Sequence, residues 1–309
     1  MRPLCTKVRA EKFTGCLLGL ALGDALGAPF EGRYTVRGGE IEKIASSLEL
    51  LRYTDDTHMA IGVAESLIAC RGLDGEHMAK TFVRNFRKEP WRGYGPGPPE
   101  VFRRIESGIP WYSAAEEVFP GGSYGNGAAM RIAPVGLFYH RNPEKIREAA
   151  YLCSRITHTH PLAKDGAVVI AAAVAFAVVY GSEGRRSDLL DYLSAFSLPE
   201  VYRSKLGKIP ELALRGDRRE VVRELGNGVE AFNSVPTAVY CFLTGDSFEK
   251  TVTGAISLGG DCDTIAAMAG AIAGAWWGIE AIPSRWLEKL ENAEYIKSLA
   301  RKIYKLTVD

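Results

Sequence analysis

The chain lacks most of what would mark it for a membrane, for nucleic acid or for an oxidising compartment. Its 309 residues carry 38 Lys and Arg against 37 Asp and Glu, a formal net charge of +1. That leaves no basic excess for a general nucleic-acid or membrane surface. The six cysteines (Cys5, Cys16, Cys70, Cys153, Cys241, Cys262) form no Cys-x-x-Cys pair and no dense framework. They read as reduced, mostly buried thiols of a cytoplasmic protein. Met1 to Lys12 is charged and has no apolar signal-peptide core. The two longest apolar runs, 166–180 and 265–279, are about fifteen residues each, short of the roughly 20 that span a bilayer. Their Ala and Gly content suits helices buried all round in a large core. Low-complexity linkers and internal repeats are missing as well, and strand-like alternation bounded by turns is scarce, so sheet content should be low.

What is present is helical periodicity on an ordinary globular composition, 47% apolar and 24% charged. Phe13, Leu17 and Leu20 recur at i, i+4 and i+7, and Met59, Val63 and Leu67 at i, i+4 and i+8. The pattern predicts helices over 9–26, 58–70, 75–88, 98–107, 143–155, 164–181, 186–195, 217–225, 235–243, 247–257, 264–278 and 290–305. We expect an all-α protein with one domain over 1–309. Gly15, Gly19, Gly23 and Gly27 make a smooth stripe on the first helix, where another helix can approach closely. Such spacing marks dimers in membranes, but Asp24 interrupts it here, and tight packing in a soluble core fits better.

Two acidic clusters carry the chemistry. Tyr53-Thr54-Asp55-Asp56-Thr57 precedes the helix predicted at 58–70, and Gly259-Gly260-Asp261-Cys262-Asp263-Thr264 precedes the one at 264–278. N-capping is the plainer alternative, since short oxygen side chains satisfy free first-turn N–H groups. Capping needs one residue, however, and each cluster offers two carboxylates plus a threonine hydroxyl. Four packed carboxylates repel unless cations sit among them, and a charge of −4 matches two divalent ions. An all-oxygen set favours Mg²⁺, Mn²⁺ or Ca²⁺ over Zn²⁺. The reading requires that the clusters meet in space.

Gly121-Gly122-Ser123-Tyr124-Gly125-Asn126-Gly127 exposes backbone N–H groups and runs toward a helix expected at 128–131, a recipe for holding phosphate. It is not a P-loop, and a plain glycine-rich turn is the alternative. Arg92-Gly93-Tyr94-Gly95 reads only as an irregular loop. His158 and His160 have no further His or Cys nearby to complete a zinc site. A polar residue near a ligand, or an ordinary loop histidine, is the better reading. Glu31 by itself is a solvated loop glutamate.

Taken in order, Gly23-Asp24-Ala25-Leu26-Gly27, Tyr53-Thr54-Asp55-Asp56-Thr57, the Gly122–Asn126 loop and Gly259-Gly260-Asp261-Cys262-Asp263-Thr264 resemble the ADP-ribosylglycohydrolases. That family includes the dinitrogenase reductase-activating glycohydrolases and the vertebrate ADP-ribosylhydrolases. The finer likeness is to the vertebrate type acting on serine-linked ADP-ribose, poly(ADP-ribose) and O-acetyl-ADP-ribose. It is carried by Arg92-Gly93-Tyr94-Gly95, Gly122 to Arg131, and Glu224-Leu225-Gly226-Asn227-Gly228 continuing to Ala238.

The resemblance implies a compact helical domain with two Mg²⁺ or Mn²⁺ ions in a cleft. Thr54, Asp55 and Asp56 would ligate them from one side, and Asp261, Asp263 and Thr264 from the other. Gly122, Ser123, Tyr124, Gly125 and Asn126 would hold the diphosphate, with His158 close by and Tyr124 stacking on adenine. Gly93 and Gly95 would lie near the distal ribose. Glu31 would be the catalytic carboxylate, with Asp55 or Asp261 in reserve. Cys262 should point away from the ions. Expected partners are ADP-ribose, ADP-ribosylated proteins and poly(ADP-ribose), with the chain a monomer. The alternatives are a non-catalytic ADP-ribose binder, a structural crystallin-like protein and a metal-dependent phosphatase.

Overall fold

The computed structural model describes residues 8–181 and 184–308, so Cys5 lies outside the described residues. Among them every regular element is helical. The only β-type pairings there are isolated bridges, Leu51 to Leu290 and Gly125 to Glu230. The order is α1 (Ala10–Gly27), α2 (Gly38–Ser47), α3 (Asp55–Cys70), α4 (Gly75–Lys88), α5 (Gly97–Glu106), α6 (Ala114–Val118), α7 (Ala133–Phe138), α8 (Pro143–Arg155) and α9 (Pro161–Tyr180). There follow α10 (Asp188–Ser194), α11 (Glu200–Arg215), α12 (Arg218–Leu225), α13 (Ala231–Thr244), α14 (Phe248–Ser257), α15 (Cys262–Trp277), α16 (Ser284–Leu287) and α17 (Ala293–Val308).

The glycine stripe of α1 packs on α15. A Cβ at Gly15 would lie 2.4 Å from the Gly274 carbonyl oxygen, and one at Gly19 2.2 Å from that of Gly270. At Gly23 the distance to the Ala266 oxygen would be 2.0 Å, and at Gly27 the Asp263 Cα would be 2.4 Å away. No side chain fits at any of these positions, so the two backbones touch along four turns. This contact sets Asp24 of α1 beside Asp263 of α15. One large cluster of buried apolar side chains, running from Val8 to Ile303, surrounds the pair.

Some expectations need correction. The apolar run from Gly166 belongs to a longer helix, since α9 spans 20 residues. By length and composition both α9 and the stretch Ala10–Phe30 could cross a membrane; 83% and 89% of their apolar windows are buried inside the protein. Burial rather than length makes them core helices. The expected helix at 128–131 is absent: a 3-10 turn at Asn126–Ala128 is followed by turns, and α7 begins only at Ala133. Helices α2, α6, α7, α11 and α16 were not anticipated. Gly207 and Pro210 mask α11, although Tyr202, Leu206 and Ile209 form its buried face at i, i+4 and i+7. Cys16, Cys153, Cys241 and Cys262 are buried free thiols, and Cys70 is partly exposed.

Candidate metal centre and substrate cleft

Asp24, the single charged residue in the apolar body of α1, organises the first acidic cluster. Completely buried, it accepts from the Thr54 N–H and hydroxyl with Oδ1, both at 2.9 Å. Its Oδ2 accepts from the Thr57 N–H at 3.0 Å and the Thr57 hydroxyl at 2.6 Å. Burial raises its carboxyl to about 6, against the lowering pull of these bonds. The segment before α3 is held from the other side too. Arg92 donates to the Tyr53 carbonyl at 3.1 Å and to Glu291 at 2.6 Å, while its guanidinium lies 4.2 Å over the Tyr53 ring.

The helices begin earlier than predicted, which puts the carboxylates in their first turns. Thr54 is the N-cap of α3 and accepts from the Asp56 N–H at 3.5 Å, leaving Asp55 and Asp56 within the first turn. Asp261 sits at the N-cap of α15 without a side-chain capping bond. The capping alternative therefore accounts for Thr54 and for none of the four aspartates' side chains. The clusters do meet: the Thr264 hydroxyl donates to Asp56 Oδ1 at 3.3 Å. Asp56 Oδ2 and Asp263 Oδ1 are buried without any hydrogen-bond partner. Burial, then the charge of Asp24, holds Asp55 and Asp56 well above the usual carboxylate range. Burial and the neighbouring Asp261 push Asp263 up to about 9. These groups cannot all ionise together without a compensating cation.

Glu31 is exposed, yet the fold brings it to this centre. Glu31, Asp261 and Asp263 each offer an oxygen within 4.8 Å of the other two. The Gly32 N–H donates to the Gly260 carbonyl at 2.9 Å, and the Gly260 N–H donates to that of Arg33 at 2.8 Å. Gly260 has φ +68°, and a Cβ there would meet the Asn227 oxygen at 2.2 Å, so the stitch needs glycine. Burial and the Asp261 charge raise the Glu31 carboxyl. Asp261 is fixed in turn by Asn126, whose amide donates to its Oδ2 and to Ser234 Oγ. Cys262 turns its thiol toward the Gly27 carbonyl oxygen at 3.7 Å.

A cleft of about 320 Å³ opens onto the centre. Glu31, Thr54, Asp55 and Asp56 line it, as do Asp261, Asp263 and Thr264. Gly93, Gly95, Ser123, Gly125, Asn126 and His158 complete the wall. Gly122 and Tyr124, expected with them, do not line it. Gly122, at φ +83°, presses its α-carbon against the chain at His160, where a Cβ would be 2.4 Å from the backbone nitrogen. The Tyr124 ring, half exposed, stands edge-on to His160 at 5.7 Å and beside Phe232.

The amide nest is smaller than five residues. Gly122 and Asn126 spend their N–H groups on the Phe119 and Val229 carbonyls, and Gly125 donates to Ser123 Oγ. Burial first, then Arg131, lowers His158 to about 3. It is a neutral ring bonded through Nδ1 to the Thr157 hydroxyl at 2.8 Å. His160 instead caps α9 through Nδ1.

Two residues to which the sequence motifs give no role belong here. Asp24 stood out as an acid in an apolar helix. Arg131, wholly buried, lines the cleft and ties the Gly127 and Cys153 carbonyls together at 3.0 and 2.8 Å; nothing in its local sequence signals burial.

The same arrangement has relatives. The sequence profile described as ADP-ribosylglycohydrolase matches residues 6–309. The chain is 39% identical to "ADP-ribosylhydrolase ARH3" of Bos taurus over 96% of this chain and 93% of that protein. It is 27% identical to "ADP-ribosyl-[dinitrogen reductase] glycohydrolase" of Rhodospirillum rubrum, covering 91% and 90%. A solved "ADP-ribosylglycohydrolase-related protein complex" superposes with a TM-score of 0.74 at 30% identity, over 98% of this chain and all of that one. A carboxylate-lined cleft on a helical core, with likeness along nearly the whole chain, makes this protein a glycosyl hydrolase belonging to the ADP-ribosylglycohydrolase family.

Proposed function

We propose that the protein cleaves the glycosidic or ester bond at the distal ribose of ADP-ribose, using two Mg²⁺ or Mn²⁺ ions. Its substrate class on this reading is serine-linked ADP-ribose on protein, poly(ADP-ribose) and O-acetyl-ADP-ribose. The carrying observation is the convergence of Glu31, Asp261 and Asp263 in a cleft shared with Asp55 and Asp56. The fit of cations rests on the orphaned oxygens Asp56 Oδ2 and Asp263 Oδ1, and the all-oxygen donors suit hard ions. Thr54, Asp55 and Asp56 would hold them from α3, and Asp261, Asp263 and Thr264 from α15. When bound, such ions act as Lewis acids toward oxygen and offset the carboxylate charge.

The remaining chemistry belongs to the chain. Hydrolysis forms a bond from water oxygen to the anomeric carbon while the bond to the leaving oxygen breaks, through an oxocarbenium-like state. Glu31, its carboxyl raised, accepts the water's proton and returns one to the leaving oxygen; Asp55 and Asp261 are the other carboxylates in reach. Ser123, which lines the cleft, offers its backbone N–H to the diphosphate. His158 contributes a hydrogen bond without charge. Gly93 and Gly95 leave room for the ribose, and the half-exposed Tyr124 ring, beside Phe232 and outside the cleft lining, would receive an adenine that reaches beyond it.

The test is a product assay on serine-linked and arginine-linked ADP-ribosyl peptides, poly(ADP-ribose) and O-acetyl-ADP-ribose, each with Mg²⁺, Mn²⁺ or EDTA. We expect cation-dependent release of ADP-ribose from all but the arginine-linked peptide. Turnover in EDTA, or release of inorganic phosphate, would overturn the reading.

A further inference from the structure

A second cavity, of about 370 Å³, lies between the start of α6, the end of α8 and the first turn of α9. Trp111, Tyr112 and Tyr151 give it aromatic walls, and Arg155 and Lys164 give it cations. The Arg155 guanidinium stands 5.4 Å over the Tyr112 ring and donates to the Tyr112 carbonyl at 3.1 Å. Lys164 Nζ lies 6.0 Å over the Tyr151 ring. Neither cation makes an ion pair with a carboxylate among the described residues. Burial and the Arg155 charge together press Lys164 below the ordinary lysine range. Against these two cations stand Glu116, exposed at the rim, and the buried Asp165, which is paired with Arg147 and accepts from the Tyr151 hydroxyl at 2.7 Å.

The cavity is the neighbour of the substrate cleft. Thr157 and His158 line the cleft, and Thr159 lines this cavity, so one stretch of chain forms the wall between them. The Thr159 hydroxyl is buried without a hydrogen-bond partner, close to the α-carbon of Gly122 in the glycine loop.

We propose that this cavity is a second nucleotide subsite, holding a purine base against its aromatic walls and phosphate at Arg155 and Lys164. Base faces stack on aromatic side chains whatever their sequence. Arg and Lys are the usual donors to phosphate, and the volume falls in the range of small-ligand sites, from about 300 Å³ upward. The inference rests on the proposed function for its setting. One source of such a ligand is the adjoining unit of a poly(ADP-ribose) chain whose terminal unit fills the cleft. The other is a free nucleotide.

The probe is AMP, titrated calorimetrically into the full chain after one equivalent of ADP-ribose has filled the cleft in Mg²⁺. We expect one AMP per chain, with affinity falling about tenfold or more in Arg155→Glu/Lys164→Glu, the scale of a lost charge-assisted bond. Lys164→Gln, which conserves bulk, should give a smaller loss in the same direction should the double variant fold poorly. Absence of AMP binding, or binding that neither variant weakens, overturns the proposal.

Kinetics then separate the sources. A raised KM for poly(ADP-ribose) at unchanged KM for a mono-ADP-ribosyl peptide in the double variant identifies the adjoining polymer unit. Turnover of the peptide altered by AMP in the native chain, and not in the variant, identifies a free nucleotide. Failure of the native chain to hydrolyse any ADP-ribosylated substrate, with AMP binding intact, would strike the proposed function and leave this subsite standing.

Discussion

Asp24 accepts from both Thr54 and Thr57, so its carboxylate is the joint between α1 and the start of α3. Asp24→Asn replaces one acceptor with an NH₂ that faces donors. We expect a stability loss of about 1–3 kcal/mol, read from denaturant unfolding, accompanied by weaker cation binding. Unchanged stability would mean that the joint matters less than its four donors suggest. Glu31 belongs to the same scale. It is placed by backbone bonds at Gly260 rather than by packing of its own side chain. Glu31→Gln should therefore keep ADP-ribose affinity while kcat falls about 10²–10⁴-fold, the usual span for a lost general acid or base. Calorimetry beside single-turnover kinetics would check this, and full turnover would remove Glu31 from the mechanism.

Among elements, α1 and α15 matter most because their backbones touch. Gly23→Ala would place a Cβ 2.0 Å from the Ala266 oxygen, and helix backbones cannot yield there without parting. The expected cost is about 1–3 kcal/mol or more, with loss of cation affinity as Asp24 and Asp263 move apart. Gly254→Ala in α14 is the control: a Cβ there meets nothing within 4 Å, and helix propensity alone should make it neutral or stabilising by up to about 1 kcal/mol. Parallel chemical denaturation decides, and equal effects at both sites would refute the close-approach argument. The stripe was legible from its spacing; its partner was not, since α15 carries matching Gly270 and Gly274 without any marker of pairing. Helix α11 was missed for the opposite reason, because Gly207 and Pro210 speak against a helix that its buried Tyr202, Leu206 and Ile209 hold in place.

Across the molecule, the acidic centre couples folding to protons and cations. Asp263 is raised from the ordinary 3.8 to about 9, and Asp24 to about 6. A carboxyl whose folded value is raised contributes its stability fully only below the unfolded value, where it is protonated in both states. That contribution is lost as pH rises toward the folded value. Without cations, these groups should lower Tm progressively between roughly pH 4 and pH 9. Mg²⁺ or Mn²⁺ displaces the protons, so its stabilisation should grow with pH. Thermal unfolding across that range, with EDTA or with Mg²⁺, is the measurement; a cation effect independent of pH would count against the centre. At this scale too, Asp261→Asn/Asp263→Asn should abolish Mg²⁺-dependent turnover while far-UV circular dichroism stays helical. Persistent activity of that double variant would end the metal reading.

Residue types and their order determined the helical class, the two acidic clusters, the glycine loop and the family likeness. These depend on local periodicity and short motifs, which a chain carries wherever it folds. Tertiary structure alone decided that α1 and α15 meet backbone to backbone, that Glu31 joins Asp261 and Asp263, and that Gly122 and Tyr124 stand outside the cleft. Those outcomes depend on approach distances between segments more than two hundred residues apart, and no local pattern encodes such a distance.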